Sequence, residues 1–143
     1  MTLVVDTSPI LAQIEPADPL ARDAARVLAT ERTTPIMPLT VAAELEHMLV
    51  ARGGPSANRA LFRDLAANRF IVPGLEPEDF ATIQALNERY RDVNVGLTDL
   101  SIVILAARYK TKRILTFDQR HFRLMRPLQG GTFTLLPFDE PAS

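Results

Sequence analysis

Thr98-Asp99-Leu100-Ser101-Ile102-Val103-Ile104-Leu105-Ala106-Ala107-Arg108-Tyr109-Lys110, followed two residues later by Arg113-Ile114-Leu115-Thr116-Phe117-Asp118, is the stretch that decides the fold. Between Leu100 and Leu105 only Ser101 interrupts the apolar residues. A helix here is apolar nearly all round and belongs at the centre of a core. Thr98 is placed to cap it, and Asp99 falls in its first turn, where the helix dipole favours a negative charge. Ile114 to Phe117 is a short apolar run that reads as a buried strand.

The same alternation extends in both directions. Leu3-Val4-Val5 is a short buried strand bounded by Asp6-Thr7-Ser8-Pro9, and Ser8-Pro9 has the form of an N-cap followed by proline at the first helical position. Leu20 to Glu31 reads as an amphipathic helix. Pro35-Ile36-Met37-Pro38 reads as an edge strand because prolines flank it. Thr40 is expected to cap a helix to Arg52 that stops at Gly53-Gly54, with Val41, Leu45, Met48 and Leu49 as its buried stripe and Glu44 on the flank. Further helices are expected over 56–67 and 76–90, and strands at Phe70-Ile71-Val72 and 132–136. Strands alternating with helices argue for an α/β fold with a mainly parallel sheet. The length of 143 residues and the lack of a linker argue for a single domain over 1–143.

Composition narrows the function. Hydrophobic residues make up 47% of the chain, enough for a sizeable core, which argues against disorder. Cysteine is absent, which excludes disulfides, thiolate zinc sites and cysteine nucleophiles. No apolar run approaches the roughly 20 residues that span a bilayer, and the start lacks the pattern of a signal segment. A cytoplasmic protein without a membrane partner is expected. The net charge of −1 does not point to a polyanion, but the stretch from Arg108 to Arg126 holds seven basic residues against the single acid Asp118. Local positive charge beside a catalytic acid suits a polyanionic substrate. Its ordinary reading is a solvated basic face.

Four acids sit at the borders of apolar segments: Asp6 after the first strand, Glu44 early in its helix, Asp99 in the first turn of the central helix, and Asp118 after the strand from Ile114. In open parallel α/β sheets, strand ends and the following helix starts share one edge, where ligands bind. All four acids are therefore expected at that edge. Clustered carboxylates suit Mg²⁺ or Mn²⁺, which prefer oxygen ligands, and an acidic site without a histidine suits phosphodiester hydrolysis better than zinc chemistry.

Each acid also has an ordinary role. Asp6 could cap the next helix, Glu44 could pair with Arg52, Asp99 could favour its helix dipole, and Asp118 could make a turn. Those roles do not require convergence. His47 falls on the polar side of its helix. His121, three residues after Asp118, reads as structural, with contact to a substrate phosphate as the alternative. No serine has a neighbouring histidine to activate it. An aspartyl phosphatase normally places a second Asp two residues after its nucleophile, and here that residue is Ser8. A different class of reading is a non-catalytic binding module whose acidic pocket docks a basic peptide.

Val4-Val5-Asp6-Thr7-Ser8, Ala43-Glu44-Leu45, Gly96-Leu97-Thr98-Asp99 and Leu115-Thr116-Phe117-Asp118-Gln119-Arg120-His121-Phe122 occur in that order. With these pieces the chain resembles the PIN-domain ribonucleases, specifically the VapC toxins of VapBC toxin–antitoxin pairs. The resemblance implies a three-layer α/β/α PIN fold, a homodimer, Mg²⁺- or Mn²⁺-dependent endoribonuclease activity on structured RNA such as tRNA or an rRNA loop, and inhibition by a VapB-like antitoxin. It implies Asp6, Glu44, Asp99 and Asp118 as catalytic residues, with Asp6 and Asp99 as metal ligands. Asp92 is a candidate fifth acid. Thr98 replaces the small apolar residue of many relatives and can hydrogen-bond an acid or cap its helix.

Overall fold

Val4 and Val5 form strand β1 at the middle of a parallel sheet. The computed structural model describes residues 1–140. Strand β2 (Arg113–Leu115) pairs with β1 in the register Val4↔Ile114 and Val5↔Leu115. Strand β3 (Thr134–Leu136) pairs with the other edge of β2, placing Leu115 opposite Leu136. On the free side of β1, Val4 makes a parallel bridge to Ile36, and Ile36 makes one to Ile71. Across the sheet the extended segments thus run Ile71, Ile36, β1, β2, β3. In chain order this is 3-2-1-4-5, the order of a doubly wound α/β sheet, whose winding reverses between β1 and β2.

The two expected strands at 35–38 and 70–72 shrink to these single bridges. Pro35, Pro38 and Pro73 carry no N–H and interrupt the ladders on either side. What survives is the pairing around Ile36: its N–H donates to the Leu3 carbonyl (2.8 Å), Val5 N–H donates to the Ile36 carbonyl (2.8 Å), and Met37 N–H donates to the Ile71 carbonyl (2.8 Å). Neighbouring strand residues point to opposite faces. Since Val4 and Val5, Ile114 and Leu115, and Leu135 and Leu136 are all buried, helices cover both faces and make the expected three layers.

Helix α1 spans Thr7–Leu11 and runs into a 3₁₀ turn at Ala12–Ile14. Its cap is Asp6 rather than Ser8. Pro9 is tolerated within the first turn, where the N–H groups have no helical partner. Helix α2 (Pro19–Thr30) is capped by Asp18. Helix α3 (Leu39–Gly53) starts one residue before Thr40, whose hydroxyl is buried without a hydrogen bond, and no side chain caps this helix. It ends at Gly54, whose φ of 90° lies in the region open to glycine. Helices α4 (Arg59–Ala66) and α5 (Asp79–Arg89) are shorter than the sequence suggests, each beginning three residues late after turns. Helix α6 (Leu97–Arg108) is the central helix, buried continuously from Leu100 to Ala106, with Gly96 rather than Thr98 at its cap position. Helix α7 (Gln119–Leu124) follows β2. No helix among the described residues is long and apolar enough to cross a membrane.

Candidate active site

The point where the sheet reverses its winding opens a crevice beyond the carboxyl ends of β1 and β2, and such a crevice is where α/β sheets bind ligands. Asp6 directly follows β1, and Asp118 comes three residues after the end of β2. Asp99 enters from the first turn of α6 and Glu44 from α3. All four line one groove of about 410 Å³. Asp92 sits exposed in the turn after α5 and does not line it.

Local capping fixes two of the acids. Asp6 is buried, and its Oδ1 accepts the Thr7 N–H at 2.8 Å. Asp118 caps α7, its Oδ1 accepting the His121 N–H at 3.0 Å. The ordinary capping roles and convergence are therefore both realised. Thr116, fully buried between them, joins the pair: its hydroxyl donates to Asp6 Oδ2 at 2.7 Å and accepts the Asp118 N–H at 2.9 Å. Glu44 does not pair with Arg52. Instead its Oε2 accepts the Thr98 hydroxyl at 3.1 Å, so Thr98 serves an acid rather than the helix end.

His121 corrects the expectation of an acidic site without histidine. Its Nδ1 is buried, 2.9 Å from Asp118 Oδ2 and 3.2 Å from Asp99 Oδ2, yet not aligned with either for a formed hydrogen bond. The sequence signal was the Asp118-x-x-His121 spacing. A residue that caps a helix and the third residue after it lie side by side. The bond from Thr116 to Asp6 gives no such signal, because that partner lies 110 residues away in sequence. His47 is exposed outside the groove, as expected from its helix face.

The electrostatics follow from burial. Desolvation pushes the Asp6 carboxyl up to about 6, against the hydrogen bonds from Thr116 and Thr7, and the charges of Asp99 and Glu44 push the same way. Asp99 is also raised, chiefly by burial. The neighbouring His121 opposes that shift and Asp118 reinforces it. Among the described residues no Lys or Arg forms an ion pair with Asp6, Glu44, Asp99 or Asp118. Packed like charges in a desolvated site are unfavourable without a cation.

The donor set fits a small divalent cation. Asp99, Asp118 and His121 offer ligand atoms within 4.8 Å of one another. Adjacent ligands at right angles on bonds of about 2.1 Å stand about 3.0 Å apart, close to the two distances from His121 Nδ1. Asp6 lies close enough to Asp99 and Glu44 for their charges to act on it.

The basic stretch from Arg108 to Arg126 is less of a substrate face than the sequence suggests. Arg108 pairs with Asp79, Arg113 with Glu31, and Arg123 with Asp139. These arginines fasten helices and termini to the core.

A sequence profile of the PIN domain matches residues 3–126. The chain is 31% identical over 135 residues to Ribonuclease VapC26 of Mycobacterium tuberculosis, covering 94% of this chain and 100% of that one. Its fold is similar to the crystal structure of Mycobacterium tuberculosis VapC20, a toxin that cleaves the sarcin–ricin loop, with a TM-score of 0.74 at 17% identity over 83% of this chain and 92% of that one. It is also similar to a toxin–antitoxin complex from Klebsiella pneumoniae, with a TM-score of 0.66 at 15% identity over 87% of this chain and 92% of that one. With its acids gathered at the switch point of a doubly wound sheet, the chain belongs to the PIN-domain family and, within it, to the VapC ribonucleases.

Proposed function

We propose that this protein is a Mg²⁺-dependent endoribonuclease toxin, with Mn²⁺ as a substitute, that hydrolyses phosphodiester bonds in structured RNA such as a tRNA or an rRNA loop. The observation that carries the proposal is the convergence of Asp6, Glu44, Asp99 and Asp118, from four distant segments, on one groove in which, among the described residues, none of them pairs with a lysine or arginine. Asp6 and Asp99 are the proposed direct metal ligands, and the geometry supports Asp118 and His121 beside them. A divalent cation held there supplies Lewis-acid activation of water and charge stabilisation at the departing oxygen. The protein's part is to hold Asp6 and Asp118 through the Thr116 bridge and Glu44 through the Thr98 hydroxyl.

The proposed setting is a toxin–antitoxin pair acting in the cytoplasm, the whole chain of 143 residues forming a single domain. A VapB-like antitoxin is the expected partner, since the similar Klebsiella pneumoniae structure is a toxin–antitoxin complex. A homodimer is proposed as well. Leu39, half exposed at the start of α3, borders two shallow apolar grooves, one reaching Phe80 and Leu97 and the other Phe62. Apolar surface of this kind supports assembly, and light scattering that finds only monomers at micromolar concentration would remove this element.

The test is 5′-end mapping of cellular RNA after expression of the wild type and of Asp6→Asn. Discrete cuts with the wild type and none with the variant are expected. Equal cutting by both would sink the scheme. Binding of a basic peptide by a chain that neither binds Mg²⁺ nor cuts RNA would favour the docking-module reading.

A further inference from the structure

We propose that the groove beyond the four acids is a subsite for the nucleotide adjoining the cleaved bond, with Arg52 binding that nucleotide's phosphate. The inference rests on the ribonuclease reading of the acid end.

The groove does not stop at the carboxylates. It continues along α3, where Glu44, Met48 and Arg52 stand at i, i+4 and i+8 and line the same wall. Residues at that spacing share one helix face, and eight residues rise about 12 Å. Leu11 and Ile14 form the apolar part of the facing wall. Along α3 the lining therefore changes in order, from the Glu44 carboxylate to the apolar Met48 to the Arg52 guanidinium. A cleaved nucleic acid presents the matching sequence: a scissile phosphate for the cation-binding end, then a ribose and base for apolar side chains, then the next phosphate.

Arg52 is the one cation lining the groove among the described residues. It is exposed in the last turn of α3 and forms no ion pair among those residues, although Glu15 and Asp18 line the same groove. Asp18 already accepts the Leu20 N–H at 2.9 Å as the cap of α2. In contrast, Arg108, Arg113 and Arg123 are each held by a carboxylate. Arginine presents a planar fork that takes two phosphate oxygens at once. The bland role for Arg52 is to favour the carboxyl end of its own helix, which would affect stability and leave RNA binding alone.

The test measures binding of labelled, mixed-sequence single-stranded RNA in the cleavage-dead Asp6→Asn background, across a salt series. Arg52→Gln is expected to weaken binding about tenfold and to lower the salt slope by about 0.7, the value for one phosphate contact on a single strand. Arg52→Lys should restore most of the salt slope and only part of the affinity. In the cleaving enzyme Arg52→Gln should raise KM with little change in kcat. RNA shortened to remove the adjoining nucleotide should bind wild-type-groove and Arg52→Gln proteins alike. A change in Tm with unaltered RNA affinity and salt slope would overturn the subsite and assign Arg52 to its helix. Weakened binding of a basic peptide without any effect on RNA would overturn it too. The ribonuclease reading is judged separately, by whether the protein with Arg52 intact and Asp6 restored cuts RNA at all.

Discussion

Asp6 and Asp79 are both carboxylates at helix starts, yet the protein treats them oppositely. Asp79 is held below its ordinary range, first by the Glu76 N–H that donates to it and then by Arg108. Asp139 is held low as well, chiefly by its bonds from Arg123. Asp6 is pushed up to about 6 by burial, with Asp99 and Glu44 adding to the effect and, among the described residues, no arginine paired with it. Arg108, Arg113 and Arg123 pair with acids that fasten the structure, whereas among the described residues no lysine or arginine pairs with an acid of the groove, as the proposed cation site requires. A carboxylate's charge environment, more than its presence, separates the functional from the structural.

The strongest way to break this comparison is Asp6→Asn assayed for RNA cleavage with Mg²⁺. A loss of about 10³-fold is expected from removal of a ligand and of its charge. Arg108→Ala, at the structural pair, should leave cleavage near the wild-type rate. Equal losses would mean that the two acids do not differ in kind.

The same substitution should stabilise the protein when divalent cations are removed. Asp6 binds its proton more tightly folded than unfolded, so stability is greatest at the acid end of the window from about pH 4 to about pH 6. It falls as pH rises through that window and levels off above it. The shift corresponds to roughly 2–3 kcal/mol, and Asp6→Asn should recover about 2 kcal/mol of it near neutral pH and almost nothing near pH 4. Chemical denaturation of both proteins at the two pH values reads this directly. A less stable variant at neutral pH would contradict the burial argument.

Thr116→Val sharpens the comparison by leaving every acid in place. It removes the hydroxyl that joins Asp6 to Asp118. Supporting groups of a cation site typically contribute 10–100-fold, and a loss in that range is expected in both Mn²⁺ affinity and cleavage. Isothermal titration with Mn²⁺ separates an effect on the site from one on substrate.

The smallest effect belongs to the structural side. Breaking Asp79–Arg108 with Arg108→Ala should lower stability by about 1 kcal/mol or less at neutral pH, because the pair is partly solvated. Its contribution is present above the ordinary carboxylate range and disappears as pH falls through the depressed value of Asp79. Thermal melts at neutral and acid pH test this, and a persistent difference at low pH would point to lost packing by the Arg108 stem instead.

Much of this was legible from local pattern. Val4-Val5 and Ile114-Leu115 announce strands, and an acid after each predicts two of the four groove carboxylates. The near-uniform apolarity of α6 marks it as central. Helix starts were less legible. Asp6 displaced Ser8 as a cap because the chain turns into the helix at once after β1, and Gly96 displaced Thr98, whose hydroxyl is drawn to Glu44 across the groove. Such long-range competition leaves no mark on local sequence. The same holds for the arginines: Arg113 finds Glu31 and Arg108 finds Asp79 only after folding, so their run along the sequence exaggerated the free positive charge.

The place of β1 in the sheet also sets a timetable for synthesis. The hydroxyl that holds Asp6 Oδ2 comes from a residue 110 positions later, and β1 finds its partner β2 only then. Pairings this distant in sequence form slowly and late. A nascent chain carries Asp6 and Glu44 early, but without β2, Thr116 and Asp118 it has no groove floor on which to assemble them. On the proposed ribonuclease scheme, products broken off before that strand lack Thr116 and Asp118 and are expected not to cut RNA.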